Sequence, residues 1–516
     1  MKKIQIKIGI IFSVVILLSS CSSWLEVEPK AKIKSDQLFE TEQGYKDALI
    51  GCYEAMSEKD LYGGELSCLF LEALAKNYDF RSQSRSPYNY HAQYNYTNLD
   101  VQTTIRNVWL GMYNVICNVN KIIEEVEINK SKLTPTKYSL IKGEAYGLRA
   151  FLYTDLVRLF TWGNLAERGA QLMNELAIPY PKEYSKNIVK QSTLKEVLDN
   201  IHSDLDVAYE LLNSYDPLAK PDSRPEDYEN PSYDDAYYAT SVRPYRINIK
   251  GVLATRMRLN FWEGNYEAAY SDANYLINTL TTPWISDSNI NNPEEAERDL
   301  TFSVEQIFGV ETYNRFDSYI YEMFSYRTAN QYNYRCFVIT SGRAKSVYEV
   351  NENIGTSDYR YTRWIGKDQS RYTLDKYWEF EDQVYANQQP VIKKSEVYYT
   401  AVECLMHMSS FDPELLKTVT PMHEAVTLLN EVRMARGIPD NYLLSYDISK
   451  ENLNDELKKE YLKEFLGDGQ MFYYYKRLGI SENPFSTTPM TDYVFVLPLP
   501  DTEIDMGNRE QLTIQN

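Results

Sequence analysis

The sequence predicts a mainly α fold: about four pairs of amphipathic helices forming a scaffold, interrupted by long irregular loop insertions and a few short strands. Three observations carry this expectation. Apolar residues recur at three-and-four spacing over several long stretches, as in Ile249, Val252, Leu253, Met257 and Phe261. Tight corners separate consecutive stretches, and at Glu263-Gly264-Asn265 the Gly and Asn tolerate the left-handed backbone that a helix-helix turn needs. Between the periodic stretches lie segments crowded with Tyr, Asn and Arg that have no helical period.

The stretch from Ile247 to Leu280 forms a complete unit. After its corner, the Gly264-x-Tyr266-x-x-Ala269 spacing, with Ala268 and Ala273, keeps one helix face thin enough for close pairing, as in a tetratricopeptide repeat. A single unit cannot bury its own apolar face, so a tetratricopeptide-like chain must contain more of them.

The amino terminus is of another kind. Met1 to Lys7 is basic, and Ile8 to Leu18 is an apolar run too short for an ordinary membrane span. With Leu18-Ser19-Ser20-Cys21 it resembles the export signal and lipobox of a bacterial lipoprotein, which implies cleavage after residue 20 and acylation of Cys21. Each buried methylene of such an anchor contributes about 0.8 kcal/mol, so several chains hold firmly to a membrane. Residues 21–40 read as a lipidated tether and 41–516 as one domain, with scaffold at about 41–280 and 394–480 and irregular ligand-side insertions at about 60–100 and 281–393.

Thr41 can cap a first helix through Tyr45, Leu49, Cys52 and Met56. Its partner, Gln102 to Glu127, comes after the first insertion, which is expected to project from one face. Thr136 to Phe160 carries the clearest stripe (Ile141, Ala145, Leu148, Leu152, Leu156, Leu159) and pairs with a helix capped by Ser192 or Thr193 and ending at Leu212. Asn213 to Pro244, rich in proline, acids and tyrosine, reads as an exposed loop. The Ile247–Leu280 unit is third. Lys394 to Met408 and Met422 to Arg436, closed by Gly437, make a fourth pair, and Gln306-Ile307-Phe308-Gly309-Val310 reads as a short strand inside the second insertion. Val494 to Pro500 is too proline-bound for a central strand.

Charge and chemistry narrow the function. The formal charge of -19 becomes -22 once Lys2, Lys3 and Lys7 leave with the signal, which argues against nucleic acid or anionic headgroups as partners. Cys52, Cys117 and Cys404 lie in helical patterns as small hydrophobes, so neither a disulfide framework nor a metal site is expected. No phosphate loop, Gly-x-Ser-x-Gly elbow or His-Glu-x-x-His occurs, and the acidic runs Asp287–Glu297 and Glu226–Asp235 lack EF-hand spacing. The expectation is a protein without cofactor or metal that is not an enzyme.

The unusual feature is 45 tyrosines. Tyr78, Tyr88, Tyr90, Tyr94 and Tyr96 fall among Ser, Gln, Asn and Arg, and a second set, Tyr313, Tyr319 and Tyr326, follows Trp284. A tyrosine ring offers flat apolar area to a sugar or a peptide side chain at small entropic cost, while its hydroxyl bonds polar groups. These nine residues are the candidate ligand contacts, with both sets expected on one face, whereas Tyr266 is expected to pack.

Several short stretches then add a resemblance. Ser23-Trp24-Leu25-Glu26-Val27-Glu28-Pro29, Gly143 to Tyr153, Ala269-Tyr270-Ser271-Asp272-Ala273, Leu428 to Arg433, Glu464 to Gln470 with Lys476-Arg477-Leu478-Gly479, and Leu497 to Ile504 occur in the order found in the RagB/SusD family of outer-membrane lipoproteins, which this chain resembles. Asp468-Gly469-Gln470 departs from the family's usual Glu-Gly-x-Arg turn. The resemblance implies a surface lipoprotein that binds an oligomeric nutrient and delivers it to a TonB-dependent outer-membrane transporter, as a lid on that barrel. Oligosaccharide is the first expectation for the ligand and oligopeptide the second; a surface glycan hydrolase is the alternative from another class.

Overall fold

The computed structural model describes residues 35–79, 87–219, 243–312, 319–324, 337–368, 371–377, 385, 387–408, 416–418, 420–512 and 514. Cys21, the signal and most of the tether therefore lie outside the described residues, as do Tyr313, Tyr326 and the acidic run 226–235.

The predicted stripes fold into helices α1 (Glu42–Ser57), α2 (Leu99–Ile128), α3 (Pro135–Phe160), α4 (Leu194–Tyr215), α5 (Ile249–Glu263), α6 (Tyr266–Thr279), α7 (Lys394–His407) and α8 (Pro421–Ala435), followed by α9 (Lys450–Glu464) and α10 (Gln470–Leu478). Local chemistry sets their ends. Thr41 accepts from the Gly44 amide at 3.2 Å to start α1, and Thr193 with Glu196 forms a reciprocal capping box on α4. Gly264 takes φ 81° as its amide closes α5 on Asn260 and Phe261, which is the left-handed corner expected there.

The four predicted pairs are all present: α1 packs on α2, α3 on α4, α5 on α6 and α7 on α8. Each pair then stacks on the next through α2 with α3, α4 with α5, and α6 with α7, so the apolar face that one unit cannot bury alone is covered by its neighbour. Close approach needs small residues. A Cβ added at Gly143 of α3 would stand 2.8 Å from the Leu212 side chain of α4. The resulting core runs without a break from Phe39 to Leu512.

Strand β1 (Leu176–Pro179) pairs antiparallel with β2 (Gln191–Thr193) between α3 and α4. The predicted strand appears as β3 (Gln306–Glu311). A small sheet of β4 (Ile339–Thr340), β5 (Ile365–Asp368) and β6 (Arg371–Leu374) follows, and β7 (Gln388–Lys393) pairs antiparallel with β3. Because β3 lies against α1 and α5, the second insertion is fastened to the scaffold it interrupts.

A buried ionic centre joins that insertion to the last helices. Glu464, fully buried, accepts from Arg436 at 2.8 Å, Ser395 at 2.9 Å and Arg360 at 3.2 Å, and Arg436 grips Glu305 with two bonds of 2.6 and 2.7 Å. Burial alone would raise the Glu464 carboxyl, but Arg436, Lys393 and Arg360 hold it well below the usual range.

The first insertion corrects the expectation of a projecting loop. Leu61 to Ala75 is almost wholly buried, and its short helix Phe70–Leu74 packs on α10, so this segment is core. Its sequence is apolar enough to be drawn inward once α10 supplies the opposing face.

Candidate functional site

The tyrosines of the first insertion divide sharply. Tyr78, Tyr88, Tyr94 and Tyr96 are buried, and each hydroxyl has an internal acceptor: the Cys68 carbonyl at 3.0 Å, Glu65 Oε1 at 2.7 Å, the Leu74 carbonyl at 3.0 Å and the Val494 carbonyl at 2.6 Å. These four rings, expected as candidate ligand contacts among polar neighbours, are thus taken up by the core. Their apolar neighbours come from distant parts of the chain, and a paired hydroxyl removes the penalty for burying the ring's polar end. Tyr90 differs, standing 44 % exposed on the turn between its buried neighbours.

The second aromatic set reaches the first. Phe337 stacks on Tyr78 with centroids 4.7 Å apart and lies 5.3 Å from Tyr88, Phe324 meets Tyr78 edge-on at 5.8 Å, and the Asp79 amide donates to the Val338 carbonyl at 2.8 Å. Tyr319 is also buried, its hydroxyl bonded to the Gly63 carbonyl and the Lys59 ammonium 5.9 Å over its ring. The two insertions therefore share an aromatic floor. Trp284 is not part of it: half-buried beside the fourth pair, it donates to Glu431 at 3.1 Å, meets Tyr398 edge-on at 4.9 Å and carries the Lys394 ammonium 4.4 Å over its ring.

Next to Tyr78, through Asp79, lies a partly buried polar cluster that the sequence did not announce. Arg343 donates to Asp79 at 3.0 Å and to the Lys76 carbonyl, and its guanidinium lies 3.6 Å over the ring of Phe485. Asp79 also accepts from the Thr340 amide at 2.5 Å, and burial pushes the Lys76 ammonium down to about 8. Asp79 and Arg343 are far apart in the chain and share no motif. Only the pairing of the two insertions brings them together. A patch that sets a planar cation, a carboxylate and an ammonium beside ring faces can bond polar groups while covering apolar area, the combination that hydroxyl-rich ligands require.

Elsewhere the titratable groups are engaged in structure. His91 is buried, with Nε2 3.0 Å from Thr104 Oγ1 and its ring held neutral by burial, to about 4. His202 pairs with Glu263 at 3.0 Å, His423 stacks on Tyr446, and His407 stacks on Tyr266, which packs as expected. Among the described residues no group of three His, Cys, Asp or Glu side chains could hold a metal. A cleft of about 650 Å³ lies between the end of α6 and β3, but the Lys250 ammonium in its wall is taken up by Thr279 at 2.8 Å and the Tyr275 ring. Its position sets it apart from the shared aromatic floor.

Together these features define a tetratricopeptide-like scaffold that carries its candidate site on irregular insertions. Residues 23–227 match the family model described as starch-binding and associating with the outer membrane. The chain is 26% identical over 509 residues to SusD-like protein P38 of Formosa agariphila, covering 90% of this chain and 89% of that one. The fold matches a SusD superfamily protein of Bacteroides thetaiotaomicron with a TM-score of 0.67 at 16% identity, over 92% of this chain and 98% of that one. It also matches a SusD-like carbohydrate binding protein of Bacteroides vulgatus with a TM-score of 0.64 at 17% identity, over 91% and 97%. The chain is thus similar to SusD-like proteins in sequence over most of its length and in fold.

Proposed function

We propose that this protein is an outer-membrane lipoprotein, acylated at Cys21, that binds an oligosaccharide outside the cell and delivers it to a partner TonB-dependent transporter without chemically altering it. The observation that supports the reading is the meeting of the two insertions, where Phe337 stacks on Tyr78 and Arg343 joins Asp79 and Phe485; Tyr90, exposed in the first insertion, is the proposed aromatic contact. The family description and the carbohydrate-binding relative support a glycan as the ligand class. Among the described residues no helix is long and apolar enough to cross a membrane, and the attachment proposed is the lipid on Cys21. Tethering a binder beside a pore raises the local concentration of ligand, and moderate affinity leaves it free to release. Tyr313 and Tyr326 remain proposed contacts from the same insertion.

Incubating the purified protein with panels of oligosaccharides and oligopeptides tests this. Saturable binding of a glycan with no new product supports the reading. Preferential binding of peptides would move the ligand class, and steady release of shortened glycan would replace transport with hydrolysis.

A further inference from the structure

The cleft between the end of α6 and β3 carries a different chemistry from the aromatic floor. Its volume of about 650 Å³ is that of a small-ligand site, and it opens to solvent. Two tyrosine rings from separate elements line it: Tyr245, half-buried on the turn Arg243–Tyr245, and Tyr275 of α6, 41 % exposed. Thr281 and Thr282, on the segment that leaves α6, add hydroxyls.

Charge narrows the occupant. Of the described residues in the wall Lys250 alone is ionised, and no carboxylate lines the cleft, in a chain that carries 73 acidic residues. An ammonium has three N–H donors. The Thr279 hydroxyl accepts one at 2.8 Å while giving its own hydrogen to the Tyr275 carbonyl at 2.7 Å, and the Tyr275 ring centroid lies 4.9 Å from the nitrogen. Neither contact supplies an opposite charge. Burial presses the Lys250 ammonium below its ordinary value. The opposing carboxylate, Asp216, is itself spent on Arg243 at 2.7 Å and on the Leu218 and Ile249 amides at 2.9 and 3.1 Å. A ligand anion beside Lys250 offsets that cost. A sugar ring suits the rest of the wall, with its C–H face on a tyrosine, its hydroxyls on the threonines and one anionic group on the ammonium. A phosphate monoester, with about two negative charges, asks for more cationic donors than one lysine gives.

We propose that this cleft is a second glycan site, selective for a sugar unit that carries a single negative charge, as a uronate carboxylate or a sulfate ester does. Lys250 reads the charge and Tyr275 supplies the stacking ring. The inference takes its ligand class from the glycan reading above but rests on residues apart from the aromatic floor.

Calorimetric titration of the full chain tests it. The probes are disaccharides containing glucuronate or galacturonate, together with glucose 6-sulfate and galactose 6-sulfate, each set against its neutral parent sugar. At least one anionic probe should bind saturably and about tenfold or more tighter than its parent, and the carboxylate and sulfate arms show which anion is read. Lys250→Gln, which keeps a donor for Thr279, should remove that preference. Tyr275→Ala, at an exposed ring, should weaken anionic and neutral forms alike, and Tyr90→Ala should change neither. No anionic preference in the wild type, or a preference that survives Lys250→Gln, would overturn the site, as would inorganic phosphate that competes at equal concentration. A preference lost in Tyr90→Ala and kept in Lys250→Gln would put the anion on the aromatic floor, overturning this inference while the glycan reading stands. Anionic sugars that bind through Lys250 while no glycan depends on Tyr90 or Arg343 would uphold this site and sink that reading of the floor.

Discussion

The stacked helix pairs and the described parts of the two insertions both contribute to the core, yet they are held together by different kinds of contact. The pairs meet through apolar stripes whose members lie three or four residues apart, such as Leu148, Leu152 and Leu156 of α3. The insertions depend in addition on polar pairs between residues remote in sequence: Tyr96 with the Val494 carbonyl, Glu305 with Arg436, Asp79 with Arg343. Periodic contacts are redundant, whereas a lone buried bond leaves an uncompensated group when one partner is lost.

That contrast predicts where the fold breaks most easily. Replacing Glu464 with Ala strips Arg436, Arg360 and Lys393 of a shared buried carboxylate, and should cost about 3–5 kcal/mol in urea unfolding. A loss below about 1 kcal/mol would show that the ionic centre is as redundant as a helix stripe. Tyr88→Phe keeps the ring but removes the donor to Glu65, and should cost about 1–3 kcal/mol.

Glu65 itself gives a pH signature. Burial pushes its carboxyl up to about 7 from 4.5, against the opposing Tyr88 hydroxyl. The folded chain therefore holds a proton that the unfolded chain has released between those values. Its contribution is complete below about pH 4.5 and is lost as pH rises through about 7. Glu65→Gln, which stays neutral and still accepts from Tyr88, should equal the wild type near the low end of that window. At pH 8 it should exceed it by on the order of 1–2 kcal/mol. Equal stability at pH 8 would mean that the carboxyl ionises freely in the fold. The smallest effect on stability is expected for Tyr90→Ala, within about 0.5 kcal/mol, because nearly half of that ring already faces solvent.

The same contrast explains how much could be read from the chain. The four pairs, their caps at Thr41 and Thr193 and the corner at Gly264 follow from local spacing and local chemistry, and each is found where that spacing puts it. The two aromatic stretches meet through Phe324 and Phe337 rather than through the tyrosines expected on one face, and neither those partners nor the burial was legible. Nothing near Tyr78 or Tyr88 shows that Phe324 and Phe337 will arrive from the other insertion, or that Glu65 and the Cys68 carbonyl will receive their hydroxyls. Arg343 and Phe485 were missed for the same reason, because each looks like an ordinary surface residue until the insertions pair. Gln470, where the chain departs from the family's usual terminal turn, accepts from Arg158 of α3, so its divergence bears on packing between α3 and α10.

The central claim is that ligand is held by the exposed groups of the insertions while the buried tyrosines and the helix pairs serve as support. Calorimetric titration of the glycan selected by panel binding, into the wild type, Tyr90→Ala, Arg343→Ala and Tyr88→Phe at a temperature where all four are folded, tests it most directly. The account predicts about tenfold or greater loss of affinity for Tyr90→Ala, as expected for an exposed aromatic anchor, a comparable loss for Arg343→Ala, because its largely buried guanidinium holds Asp79 in place, and little change for Tyr88→Phe. Unchanged affinity in both of the first two variants would contradict it.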